Sequence, residues 1–303
     1  FNFDIKFNSK LVFVFATSEY KNDLIKSDYI NGEPIQLSKE ENFFIHTPSN
    51  WSKKSFLTAG FREDQVIVVP HGVDVETFNL ISESEKKNIR DKYKIKSEDY
   101  VLINIGAMTQ NKGVEDLIAA YGILKKKNKN LKLILKDQSN LYDRGANDPI
   151  KNMHDSKFNQ KYKIFNDQMY KDMILISENL NFKEIRNIYS ITDCYVSPYK
   201  AEGFNLTPLE AAACGTQIIV TDGGPTDDYF DDCMGFKIES KEKNLNDNIY
   251  LGPKINSLIE IIDSVINKSD NKKNLRSKYV HKNFSWENIV KKLKKEFENK
   301  LSK

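Results

Sequence analysis

Apolar positions along the chain gather in short runs, each followed by a stretch with helical spacing. Leu11 to Ala16, Phe43 to Thr47 and Gln65 to Val69 are short apolar or aromatic runs of strand length. A helix follows the second run, opened by Pro48-Ser49-Asn50 and closed by Gly60, a residue that stops helices readily. The third run ends at Pro70-His71-Gly72. After a polar, charged stretch from Ser82 to Asp99 a second series begins. Val101 to Ile105 reads as a buried strand, Gly106 to Gly113 as a turn, and Val114 to Lys127 as a helix. Leu131 to Leu135, Met173 to Ile176, Cys194 to Pro198, Gln217 to Thr221 and, last, Gly235 to Ile238 read as further strands. Helices are expected over Phe182 to Ile191, Thr207 to Cys214, Ile255 to Ile266, Asn271 to His281 and Trp286 to Leu301. Asp137 to Asp172 is polar and reads as an irregular excursion with some helix.

Alternating strands and helices predict an α/β fold with parallel sheets. The two series are unequal. Residues 100–283 hold enough strands for a complete Rossmann-like, doubly wound domain. Residues 1–80 hold about three and read as a reduced or truncated α/β domain, with 81–99 as the linker. The chain starts at Phe1 rather than Met with no signal-peptide pattern, so its N-terminus reads as trimmed.

Composition narrows the function classes. With 39% hydrophobic and 29% charged residues the chain is globular, and no apolar run reaches the ~18 residues of a membrane span. Its 46 Lys and Arg against 43 Asp and Glu leave a net +3, too balanced for a nucleic-acid partner. The lysines near the end (Lys291, Lys292, Lys294, Lys295) suit a solvated helix face; their sharper reading is weak attraction to an anionic membrane surface. Three cysteines without a C-x-x-C pair favour a reducing, cytoplasmic compartment over disulfides or zinc. Asp227, Asp228, Asp231 and Asp232 lack a D-x-D spacing, so no metal site is expected.

Ligands of open α/β sheets bind beyond the carboxyl ends of the strands. There, after the strand ending at Pro198, stands Glu202-Gly-Phe-Asn-Leu-Thr-Pro-Leu-Glu210. Thr207 suits an N-cap, Pro208 the first helical position, and Glu210 the third residue of a capping box. Gly203 lets the backbone approach a ligand closely, and amides at such a helix start favour a phosphate. On its own this segment supports equally a merely structural cap.

The wider sequence is more specific. SPYKAEGFNLTPLEAAACGTQIIVTDGGP (Ser197–Pro225) closely resembles the signature of retaining glycosyltransferases of the GT-B fold, the large family 4 group. The resemblance extends over VIVVPHGVD (Val66–Asp74), NIGAMTQNKG (Asn104–Gly113) and IRNIYSITDCYVSP (Ile185–Pro198), in the family's order. It implies transfer of a hexose from a UDP- or GDP-type sugar to a glycan, lipid or protein acceptor, without metal or other cofactor. Glu210 is then expected on the ribose hydroxyls and Glu202 on the donor sugar. Amides of Phe204, Asn205 and Leu206 are expected on the diphosphate beside the Gly106 turn, with Lys112 neutralising the leaving group. The resemblance further implies that 1–80 is the acceptor-side domain and that the helix of 284–303 packs back onto it.

Two departures qualify this. Where the family carries an arginine after the glycine, the chain has Ala107, and Lys136 at the end of the neighbouring strand is the candidate replacement. No glycine-rich turn follows Leu11 to Ala16, where Thr17-Ser18-Glu19 stands instead. The competing readings are therefore a nucleotide-sugar-binding module or inactive fragment, and a phosphorylase or epimerase on the same fold.

Overall fold

In the computed structural model, which describes residues 10–21, 38–245, 248–266 and 268–302, the early apolar runs form a parallel sheet. Its strands, β1 (Val12–Phe15), β2 (Phe43–Thr47) and β3 (Val66–Val68), lie in that order. The crossover from β2 to β3 is the helix Asn50–Thr58, whose N-cap Ser49 accepts the amide of Ser52.

The second series forms a six-stranded parallel sheet from β4 (Tyr100–Ile105), β5 (Leu131–Lys136), β6 (Met173–Ile176), β7 (Cys194–Ser197), β8 (Gln217–Thr221) and β9 (Gly235–Ile238). The order is β6-β5-β4-β7-β8-β9. Successive residues of β4 feed opposite cores: Val101, Ile103 and Ile105 pack into one apolar cluster and Leu102 into the other. Both faces are thus covered, which is why these strands read as unbroken apolar runs. Strand order reverses between β4 and β7, so their carboxyl ends flank the switch-point crevice.

Two expectations change, and the one for 137–172, an excursion with some helix, is given its detail. The stretch read as a linker carries a helix, Glu83–Lys92, docked on the larger domain. Its Arg90 guanidinium donates to the Ile191 and Asp99 carbonyls at 2.9 and 2.7 Å. The 137–172 excursion holds four short helices. Gly235–Ile238 is not the last strand: an antiparallel hairpin follows, β10 (Ser240–Leu245) and β11 (Asn248–Pro253).

The final helix, Trp286–Leu301, returns to the first sheet. Val73 and Ser285 pair in an isolated bridge, and a Cβ on Gly72 would fall 2.6 Å from the Trp286 ring. Further along, Phe297 stacks on Phe13 with centroids 4.0 Å apart. No described helix is long and apolar enough to cross a membrane.

Candidate active site

Between the two sheets, at the carboxyl ends of β4 and β7, opens a cleft of about 310 Å³. Its floor is the turn after β4, with Gly106, Ala107 and Lys112; its wall is the loop after β7, from Glu202 to Thr207. The first sheet contributes Thr17 and Glu19 from beyond β1 and His71 from beyond β3.

The wall loop runs into the helix Leu206–Ala213. Its N-cap is Asn205, in the left-handed conformation at φ 65°, and no side chain caps the helix. Thr207 is therefore not the cap: its hydroxyl lies 2.7 Å from the Tyr195 hydroxyl. Pro208 sits at the third helical position, tolerated because first-turn amides have no acceptor within the helix. The expected capping box is absent, and Glu210 accepts instead from the Tyr189 hydroxyl at 3.0 Å. Asn205 holds its unusual conformation through two anchors. Its amide donates to the Ser197 hydroxyl at 3.0 Å and its carbonyl accepts from Tyr229 at 2.8 Å. An uncapped helix end with its dipole aimed at a polar cleft favours negative charge.

Glu202 is 6% exposed and forms an ion pair with Lys112. Burial raises its pKa, Lys112 opposes the rise, and nearby Glu19 adds to it. Glu19 accepts from the Asn111 side chain at 3.0 Å, and its carbonyl accepts from the Trp51 indole at 2.8 Å. His71 is wedged against Phe204, with ring centroids 5.1 Å apart. Burial, and His46 behind it, lower its pKa, so the ring is neutral at pH 7.

Of the residues singled out in the sequence, Gly106, Lys112, Glu202, Gly203, Phe204, Asn205 and Leu206 line the cleft. Gly106 leaves its own space open, since a Cβ there would meet nothing within 4 Å. Gly203 makes room for protein rather than ligand: a Cβ would lie 2.2 Å from the Thr17 hydroxyl. Glu210 is not part of the lining; it lies one turn on, on the helix face of Leu206. Burial, only partly offset by Tyr189, pushes its pKa up to about 7. Lys136 is not in the cleft either. It is 5% exposed, its ammonium donates to the Asp137 carbonyl, and burial lowers its pKa. No described group of His, Cys, Asp and Glu could hold a metal ion.

Thr17, Glu19 and His71 were not singled out as site residues in the sequence. A signal for them existed: each lies two to four residues beyond a strand of the first sheet, at the end where α/β ligands bind. Their relevance emerged only once the two sheets faced each other.

The family model for glycosyl transferases group 1 matches residues 85–278. The chain belongs to this family. An uncharacterized glycosyltransferase of Methanocaldococcus jannaschii is 26% identical over 290 residues, 94% of this chain and 65% of the relative. The lipopolysaccharide 1,2-N-acetylglucosaminetransferase of Salmonella typhimurium is 23% identical over 267 residues, 86% of this chain and 63% of the relative. The chain thus spans about two thirds of the length of these relatives. Anabaena HepE, solved with UDP and glucose, superposes with a TM-score of 0.67 at 17% identity, covering 88% of this chain and 65% of HepE. The fold of this group 1 glycosyltransferase chain is accordingly GT-B-like, with parallel-sheet, Rossmann-like domains.

Proposed function

We propose that the cleft holds a nucleotide-diphosphate sugar and that the protein transfers its hexose to an acceptor hydroxyl with retention at the anomeric carbon. The observation that carries this reading is the convergence of the uncapped helix start at Asn205 and Leu206 with the Lys112 ammonium at the switch point. In this reading the diphosphate lies on the amides of Phe204, Asn205 and Leu206 over the open space at Gly106. As the bond between the anomeric carbon and the phosphate oxygen breaks, charge collects on the leaving diphosphate. Lys112 and the helix dipole stabilise it there. Glu202 holds donor-sugar hydroxyls, and Glu210, one turn along, reaches the ribose.

UDP in HepE and the group 1 family membership support a nucleotide-sugar donor. A specific observation favours a second reading, a module that binds the donor without efficient transfer. Ala107 stands in the turn, and Lys112 is the single lysine or arginine among the described residues lining the cleft. A one-cation site gives the leaving group less help.

Incubation with radiolabelled UDP- and GDP-sugars, with and without cell extract as acceptor source, separates the readings. Transfer of label that is lost in Glu202→Ala supports the transferase. Nucleotide binding with neither hydrolysis nor transfer supports the module, and phosphate-dependent release of sugar 1-phosphate identifies a phosphorylase.

A further inference from the structure

The β10–β11 hairpin builds a second cavity, of about 510 Å³, next to the donor cleft. The two are one residue apart along two segments and two residues apart along a third. Glu19 lines the cleft and Tyr20 the cavity; Lys112 lines the cleft and Asn111 the cavity; Glu202 lines the cleft and Lys200 the cavity. The partition between them is bonded through. Asn111 donates to Glu19 at 3.0 Å and to the Ala201 carbonyl at 3.2 Å.

One face of the hairpin is turned to this cavity. Lys243 pairs with Tyr250 and Leu245 with Asn248, and all four line it. Cross-strand partners share a face, so this is the alternation a single functional surface requires. Tyr250 leads along that strand to Gly252, where a Cβ would fall 2.3 Å from the Lys243 side chain. The glycine therefore lets Lys243 lie across the strand. The hairpin is fixed by two backbone bonds: the Lys21 amide donates to Ile249 at 3.1 Å and the Leu251 amide to Lys200 at 2.7 Å.

We propose that this cavity is a carbohydrate subsite, holding a sugar unit of a neutral glycan acceptor on the far side of the partition from the donor cleft. The lining carries the chemistry that recognises sugars: the phenol rings of Tyr20 and Tyr250, the amides of Gln110 and Asn111, and the Asp116–Lys200 pair at 3.3 Å. Aromatic faces take the C–H side of a pyranose, while amides and charged pairs take its hydroxyls in both directions. Glu115 and Asp116 balance Lys200 and Lys243, so no net charge selects a phosphate. Leu245 and Pro253 are too little apolar lining for an acyl chain.

The position of the subsite as acceptor-side rests on the reading of the cleft as the donor site; its ligand class does not. The full chain is therefore measured twice: against an immobilised array of neutral oligosaccharides, and by calorimetry with UDP and GDP. Wild type is expected to bind at least one oligosaccharide. Tyr250→Ala and Lys243→Ala, with unchanged thermal melting, are expected to weaken it at least tenfold, and Lys127→Ala, elsewhere on the surface, to leave it intact. Absence of oligosaccharide binding overturns the subsite, as does binding that Tyr250→Ala leaves untouched. So does binding to phosphatidylglycerol vesicles that the same variant abolishes, which points to a lipid. Oligosaccharide binding without nucleotide binding keeps the subsite and removes the donor reading; nucleotide binding alone does the reverse.

Discussion

Glu210 gives the sharpest physical prediction because its environment sets function against stability. In the folded chain burial pushes its carboxyl up to about 7, against 4.5 when free, and among the described residues the Tyr189 hydroxyl supplies the one side-chain hydrogen bond that opposes the rise. Between those two values the folded chain keeps a proton that the unfolded chain has released. Stability therefore falls as pH rises through that window, by about 1.4 kcal/mol per pH step and at most about 3 kcal/mol in all. Glu210→Gln removes the titration while its side-chain oxygen can still accept from Tyr189. Urea unfolding of both proteins from pH 4.5 to 8 reads the difference. The two are expected to match at the acid end, with the variant gaining up to about 3 kcal/mol at pH 8. Parallel curves, differing by less than about 0.5 kcal/mol throughout, would show a well-solvated carboxylate and refute the argument. If the ionised carboxylate holds the ribose, the same stabilised variant binds nucleotide more weakly, a trade-off common at binding sites. Wild-type affinity should then decline below about pH 7, as Glu210 takes up its proton.

Other consequences follow from single contacts. Lys112→Ala removes a charge-assisted contact and should weaken nucleotide binding by about 1.5–3 kcal/mol, roughly ten- to a hundredfold, measured by calorimetry. Gly113→Ala places a Cβ 1.9 Å from the Pro198 carbonyl oxygen at φ 67°; thermal melting should drop by several degrees, and an unchanged melting point would contradict the geometry. Arg276 is fully buried, donating to the Cys233 and Met234 carbonyls and paired with Asp270 at 3.0 Å. Arg276→Ala should destabilise by about 3–5 kcal/mol in urea unfolding. Phe297→Ala should release the final helix from Phe13 and raise hydrogen exchange in β1 before the six-stranded sheet.

The six-stranded sheet was legible because burial on both faces leaves an apolar run that periodicity can find, as at Val101 to Ile105. The β10–β11 hairpin was not. Ser240 to Leu245 is mostly exposed, so Lys241, Glu242 and Lys243 carry no apolar alternation, and its pairing depends on backbone bonds the sequence does not display. The Glu202–Glu210 segment is legible from its place after a strand and before a helix, but its local geometry is not. Thr207 and Pro208 looked like a cap and a first turn, yet the left-handed Asn205 starts the helix two residues earlier than a Thr207 cap would. Asn tolerates that conformation better than most residues, a signal available but weaker than Thr-Pro. Lys136 illustrates a different limit. Strand position predicts which end of the sheet a residue occupies, not whether its side chain reaches the crevice or folds onto the next carbonyl. Glu19 and Thr17 needed the packing of one sheet against the other.

The central claim is that the switch-point cleft binds a nucleoside diphosphate through the helix start and Lys112. Titration of UDP and GDP into wild type and Lys112→Ala at pH 8 tests it most directly. The account predicts that wild type binds at least one of the two and that the variant binds it at least tenfold more weakly. Absence of binding by wild type, or equal affinity in both proteins, would contradict it.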